Sequence, residues 1–147
     1  MGVLIANNQS KKKVNLKKIR TTAQAVLNAL GCPEGELSVL IVDDRGMADL
    51  NARHLNRAGP TNVIAFPMRE GDHSDINPDV LGDVVISVDT AHHEAGRAGM
   101  ETMERFNELL IHGILHLVGY DHVNSEEEAA VMEKKSSELM KLIGKEE

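Results

Sequence analysis

The run His112-Gly113-Ile114-Leu115-His116-Leu117-Val118-Gly119-Tyr120-Asp121-His122 carries the clearest chemistry in the chain. Two histidines four apart on a helix project from one face about one turn apart, the spacing with which a helix grips one metal ion. Gly119 can end the helix in a left-handed conformation, so that the chain doubles back and His122 returns to the same side. Three neutral imidazoles at about 2.0–2.1 Å leave one tetrahedral position open, the mark of a catalytic rather than a structural zinc centre. The competing expectation is a pair of satisfied core histidines. From Leu109 to Val118, however, nearly every other residue is apolar. The helix should be buried almost all round, where imidazoles without partners cost free energy. The sequence therefore predicts one zinc per chain, held by His112, His116 and His122.

The spacing resembles that of the metzincin proteases, with one difference. Those enzymes carry a glutamate after the first histidine as general base, and this chain has Gly113. Loss of a positioned base forfeits roughly 10²–10⁴ in rate, which weakens a zinc-dependent peptidase reading. A glycine is also expected to leave room beside the metal for something bulkier than water.

The same eleven residues resemble the signature of the YbeY family of bacterial metal-dependent endoribonucleases, His-Gly-x-Leu-His-Leu-x-Gly-Tyr-Asp-His, at every defined position. The likeness continues upstream through Leu50-Asn51, Arg57, Thr61 to Pro67, and Leu81-Gly82-Asp83-Val84-Val85-Ile86-Ser87. Two departures occur where the family commonly has Thr-Asp-Val-Leu-Ser-Phe-Pro: this chain has Asn62 and Ala65. The resemblance implies a cytoplasmic enzyme that binds zinc through His112, His116 and His122 and cuts single-stranded RNA. It implies action on the 3′ end of the small-subunit ribosomal RNA and in ribosome quality control, with ribosomal RNA precursor and small subunit as partners. It also implies that Arg57 contacts the RNA phosphate, so that Arg57 and His116 carry the catalysis.

Elementary chemistry agrees with those roles. Phosphodiester cleavage builds negative charge on the equatorial oxygens, which zinc and a guanidinium can stabilise. Zinc also lowers the pKa of water toward about 7. Either that hydroxide or the substrate's 2′-OH can then attack. Asp121 is placed either to orient a ligand or to cap the turn. His54, His92 and His93 lack a spacing that joins them to the trio and read as surface residues, and Cys32 as incidental.

The elements that must position these groups are legible from periodicity. Val3 to Asn7 reads as an edge strand. Asn15 to Leu30 reads as a helix ended by Gly31 and Pro33. Leu37 to Val42 is nearly continuous in apolarity, as for a central strand covered on both faces. A short helix is expected over Met47 to Leu55, a third strand over Asn62 to Phe66, a polar loop over Arg69 to Asp79 and a fourth strand over Asp83 to Val88. Helices are expected over Thr90 to Ala98 and Glu101 to Val118. A capping box at Ser125 to Glu128 should open a last helix running to about Ile143. The fold class is α/β with α+β character: one domain over residues 1–147, a four-stranded mixed sheet, about five helices and a metzincin-like zinc helix.

Composition narrows the partners. The 147 residues carry a net charge of −7 and three aromatics, Phe66, Phe106 and Tyr120, which argues against a nucleic-acid-coating protein or a platform stacking several bases. The charge is uneven. Residues 1–33 hold six cations and no acid, and residues 101–147 hold eleven acids against five bases. The basic stretch from Lys11 to Arg20 is thus a candidate RNA-facing helix. One cysteine excludes a disulfide framework. With no span-length apolar run and no signal peptide in the first residues, a soluble cytoplasmic protein away from membranes is expected. The rivals are the peptidase and a non-catalytic ribosome-assembly factor with structural zinc.

Overall fold

The computed structural model describes residues 2–55, 61–68, 79–120 and 126–146. Strands β1 (Val3–Asn7), β2 (Glu36–Val42), β3 (Val63–Pro67) and β4 (Val80–Ser87) form one sheet in the order β1-β2-β4-β3. β1, β2 and β4 are parallel, and β3 pairs antiparallel with β4 at the edge. Five α-helices accompany them: α1 (Leu16–Ala29), α2 (Asp44–Leu50), α3 (Val88–Ala98), α4 (Thr102–Leu117) and α5 (Glu126–Glu146). This is the mixed four-stranded α/β domain that the sequence predicts.

Local chemistry explains most boundaries. The Asn15 side chain accepts from the Lys18 N–H and opens α1, and Gly31 takes φ +80° beyond its end. α2 starts earlier than expected because Asp43 accepts from the Gly46 N–H at 2.8 Å. Its continuation, Asn51–Leu55, widens into a π-helical turn. α5 runs on through exposed Gly144 to Glu146, a position where glycine costs only about 1 kcal/mol. The expected polar loop lies outside the described residues except Asp79, as does Ser125 of the expected capping box.

The two faces of the sheet differ. On one face Leu37, Val39, Ile41, Val84 and Ile86 join α1, α4 and α5 in the main core. On the other, Val42, Met47, Ile64 and Val85 form a smaller cluster that includes α2. β2 is therefore not covered on both faces: Ser38 and Leu40 are only half-buried, and a groove of about 580 Å³ opens beside them. α2 packs through Met47 on Val42, Ile64 and Val85 and leaves Ser38 to the groove.

α4 is the buried helix that the sequence predicts, with Phe106, Leu110, Ile111, Ile114 and Leu115 all inaccessible. Two glycines let it lie close on β4. A Cβ on Gly113 would come within 2.6 Å of Val84 Cγ1, and one on Gly82 within 3.1 Å of Leu117 Cδ2. Gly82 also follows a bulge, since Glu36 pairs with Val80 and Leu37 with Gly82.

Candidate active site

His112 and His116 both lie on α4 and are half-buried. Their rings meet edge to face with centroids 4.6 Å apart, and the two Nε2 atoms are 3.1 Å apart. Tetrahedral ligands at the usual zinc–nitrogen distance sit about 3.3 Å from one another. The pair thus fits two positions of one zinc ion, with borderline nitrogen donors of the type that metal favours. His122, Asp121 and Arg57 lie outside the described residues.

The surroundings follow from the sheet. Val63 is paired with Ile86, and the Asn62 carbonyl accepts from the Ser87 N–H at 3.0 Å. The start of β3 therefore lies beside the C-terminal end of β4, where α/β sheets usually bind ligands. A cleft of about 510 Å³ opens there, lined by Asn62, Arg105, Glu108 and His112 among others.

Gly113 has a different role from the one expected. Its missing side chain leaves no room beside a metal, because Val84 and Val63 occupy the direction a Cβ would take. The position faces the sheet. A glutamate there would collide with β4, so this helix does not accommodate the protease's general base, and the peptidase reading is not favoured.

The cleft also contains a polar network that the sequence does not reveal. Arg105 Nε donates to Glu94 Oε1 at 3.0 Å and its Nη1 to Glu108 Oε1 at 2.9 Å. Burial works against the guanidinium charge, but Glu108 and Glu94 hold its proton more tightly than usual. The i,i+3 spacing of Arg105 and Glu108 was a usable signal within α4. Glu94, on α3, gave none.

Asn62 completes this network and gives a physical account of one departure from the family pattern. Its Nδ2 donates to Glu94 at 3.3 and 3.4 Å. An aspartate would set two carboxylates against each other, raising a folded-state carboxyl pKa. Asn62→Asp is expected to cost roughly 1 kcal/mol at neutral pH. The deficit should grow as pH rises through that raised pKa and vanish below about pH 4. Paired thermal melts of native and variant protein across this range check it; a pH-independent deficit would show that the two carboxyl groups do not meet.

Two lysines of the basic N-terminal stretch are neutralised by an acid. Lys11 and Lys12 approach Asp89 at 3.8 and 3.6 Å, and buried Asp89 also accepts from the Asp44 N–H. Burial pushes the Asp44 carboxyl up, but hydroxyls of Ser87 and Thr90, aided by His93 and Lys11, hold it below the ordinary range. Lys11, Lys13, Lys17, Lys18 and Arg20 are exposed all the same. His54, His92 and His93 are exposed, as expected.

The family profile described as Endoribonuclease YbeY matches residues 4–144. A Syntrophus aciditrophicus protein of that name is 46% identical over 144 residues, covering 97% of this chain and 90% of its own. One from Geobacter sulfurreducens is 48% identical over 144 residues, covering 97% and 96%. The solution structure of TM1509 from Thermotoga maritima superposes with a TM-score of 0.68 at 22% identity, over 94% of this chain and 86% of that one, and so shares its fold. A match running almost from end to end, with relatives of this identity, places the chain in the YbeY family of endoribonucleases.

Proposed function

We propose that this endoribonuclease uses one zinc ion, held by His112, His116 and His122, to cut single-stranded ribosomal RNA precursor. Its action then falls in maturation of the small-subunit RNA 3′ end and in ribosome quality control, in the cytoplasm, with all 147 residues forming one catalytic domain. The observation that carries the reading is the 3.1 Å approach of the two Nε2 atoms beside a cleft at the strand ends. Zinc bound there supplies positive charge for the phosphoryl oxygens and acidifies a nucleophile. His112 and His116, on a helix packed into the core, hold their nitrogens in place without reorganisation. Arg57 grips a non-bridging phosphate oxygen and shares the charge that develops there. The assembly-factor rival is not favoured, because the relatives are named for RNA cleavage. No helix among the described residues is long and apolar enough to cross a membrane.

The deciding experiment compares cleavage of unpaired and perfectly duplexed RNA of one sequence by zinc-loaded protein. Unpaired RNA can thread its backbone past the histidines, whereas A-form duplex is wide and stiff. Single strands should be cut at least tenfold faster, and less well as salt rises, because phosphate contacts release counterions. Equal cutting of duplex would overturn the reading.

Arg57→Ala should leave zinc content and melting temperature nearly unchanged while cleavage falls more than tenfold, or roughly 1.4 kcal/mol. Lysine should rescue only in part, lacking the planar fork. Full activity in the alanine variant would remove Arg57 from the mechanism.

A further inference from the structure

The cleft beside His112 differs from a phosphate grip. A phosphate site offers free donors and net positive charge. Here Arg105 has its Nε and Nη1 already engaged by Glu94 and Glu108. Arg105 and Lys141 among the lining residues are balanced by Glu108 and Glu133. Val63, Leu109 and Met140 supply apolar wall, and Ser136 and Ser137 add hydroxyls. At about 510 Å³ the cleft falls within the roughly 300–1,000 Å³ of small-ligand sites. A neutral, half-apolar cleft with carboxylate acceptors suits a flat heterocycle and its sugar.

We infer that this cleft is a nucleoside subsite, seating the nucleotide next to the bond that is cut and favouring bases that carry an exocyclic amine over uracil. The inference rests on the reading that RNA is cut at His112 and His116. Val63 and Met140, both partly exposed, pack on the base face. Glu108 is the selecting group: its Oε1 holds Arg105, and among the described residues its Oε2 accepts no hydrogen bond. That oxygen accepts from the amine of cytosine or adenine and repels the carbonyl that uracil presents at the corresponding position. Arg105, clamped from the other side by Glu94, fixes the Glu108 carboxylate against rotation.

Methyl NMR of ¹³C-methionine-labelled protein, titrated with CMP and UMP, tests this without using catalysis. The two nucleotides share phosphate and ribose, so any difference reports the base. The Met140 methyl should shift saturably, with CMP bound at least fivefold more tightly than UMP. Glu108→Gln, at a partly exposed position that tolerates the change, should bring the ratio close to one. No shift at Met140, or a preference that survives Glu108→Gln, would overturn the subsite. Sequencing of RNA ends separates this from the reading beneath it. Native protein that cuts single strands with no base preference beside the cut counts against the subsite. Native protein that cuts no single strands, yet shows the Met140 response, counts against the site of cleavage and not against the nucleoside cleft.

Discussion

A His112→Ala/His116→Ala variant is expected to lose its zinc and to cut RNA at least a thousandfold more slowly, about 4 kcal/mol of transition-state stabilisation. The two nitrogens stand 3.1 Å apart on one helix, so both substitutions strip the same centre. One remaining imidazole from His122 holds zinc weakly, since affinity depends on ligand count. The fold should persist. Both side chains are half-buried, and α4 is fixed by Phe106, Leu110, Ile111, Ile114 and Leu115, none of which is touched. Metal content after dialysis, cleavage of single-stranded RNA and far-ultraviolet dichroism, measured on one preparation, give the result. Stoichiometric zinc in the double variant, or cleavage close to native, would show that the metal is held elsewhere.

Gly82→Ala should be the most damaging alanine substitution among the described glycines. Gly82 adopts φ +137°, where residues with a Cβ are strained. The added carbon would fall within 2.2 Å of the Phe66 carbonyl oxygen, 3.1 Å of the Met68 nitrogen and 3.1 Å of Leu117 Cδ2. Two of these are backbone atoms of the neighbouring strand segment and cannot swing aside, so β4 must move from β3 or from the end of α4. Strain and overpacking together predict a loss of about 3 kcal/mol or more, or roughly 6–12 °C in melting temperature for a domain of this size. Zinc affinity should fall with it, because Leu117 directly follows His116. Urea unfolding and metal titration measure the two effects. A variant within about 1 kcal/mol of native would mean that β4 relaxes freely at its bulge.

Much of this was legible in the residues themselves. The period of the apolar positions in α1 and α4, and the β-branched run of β2, fix those elements because local pattern and tertiary burial agree there. The histidine pair was legible for the same reason: i,i+4 spacing is converted directly into side-chain proximity by one helix. What sequence did not reveal depends on contacts between elements. Glu94 of α3, Arg105 of α4 and Asn62 before β3 are brought together only by the packing of those elements on the sheet. Gly113 is the instructive misreading. Sequence says that a side chain is missing but not which way it would have pointed, and the missing atom faces Val84. The half-open face of β2 was hidden likewise, since cover on that side depends on where α2 packs across the sheet.

β3 is bonded to the sheet along one side only, through β4, and Pro67 at its end has no amide proton to offer. The strand that begins at the cleft wall can therefore detach by breaking a single ladder and drawing Val63 and Ala65 from the main core and Ile64 and Phe66 from the smaller cluster. Freeing β2 or β4 would break two ladders. Partial openings of this kind need much less free energy than global unfolding. Such an opening would widen the cleft wall beside His112, with α4 giving up its contacts to β3 while keeping those to α3, α5 and β4.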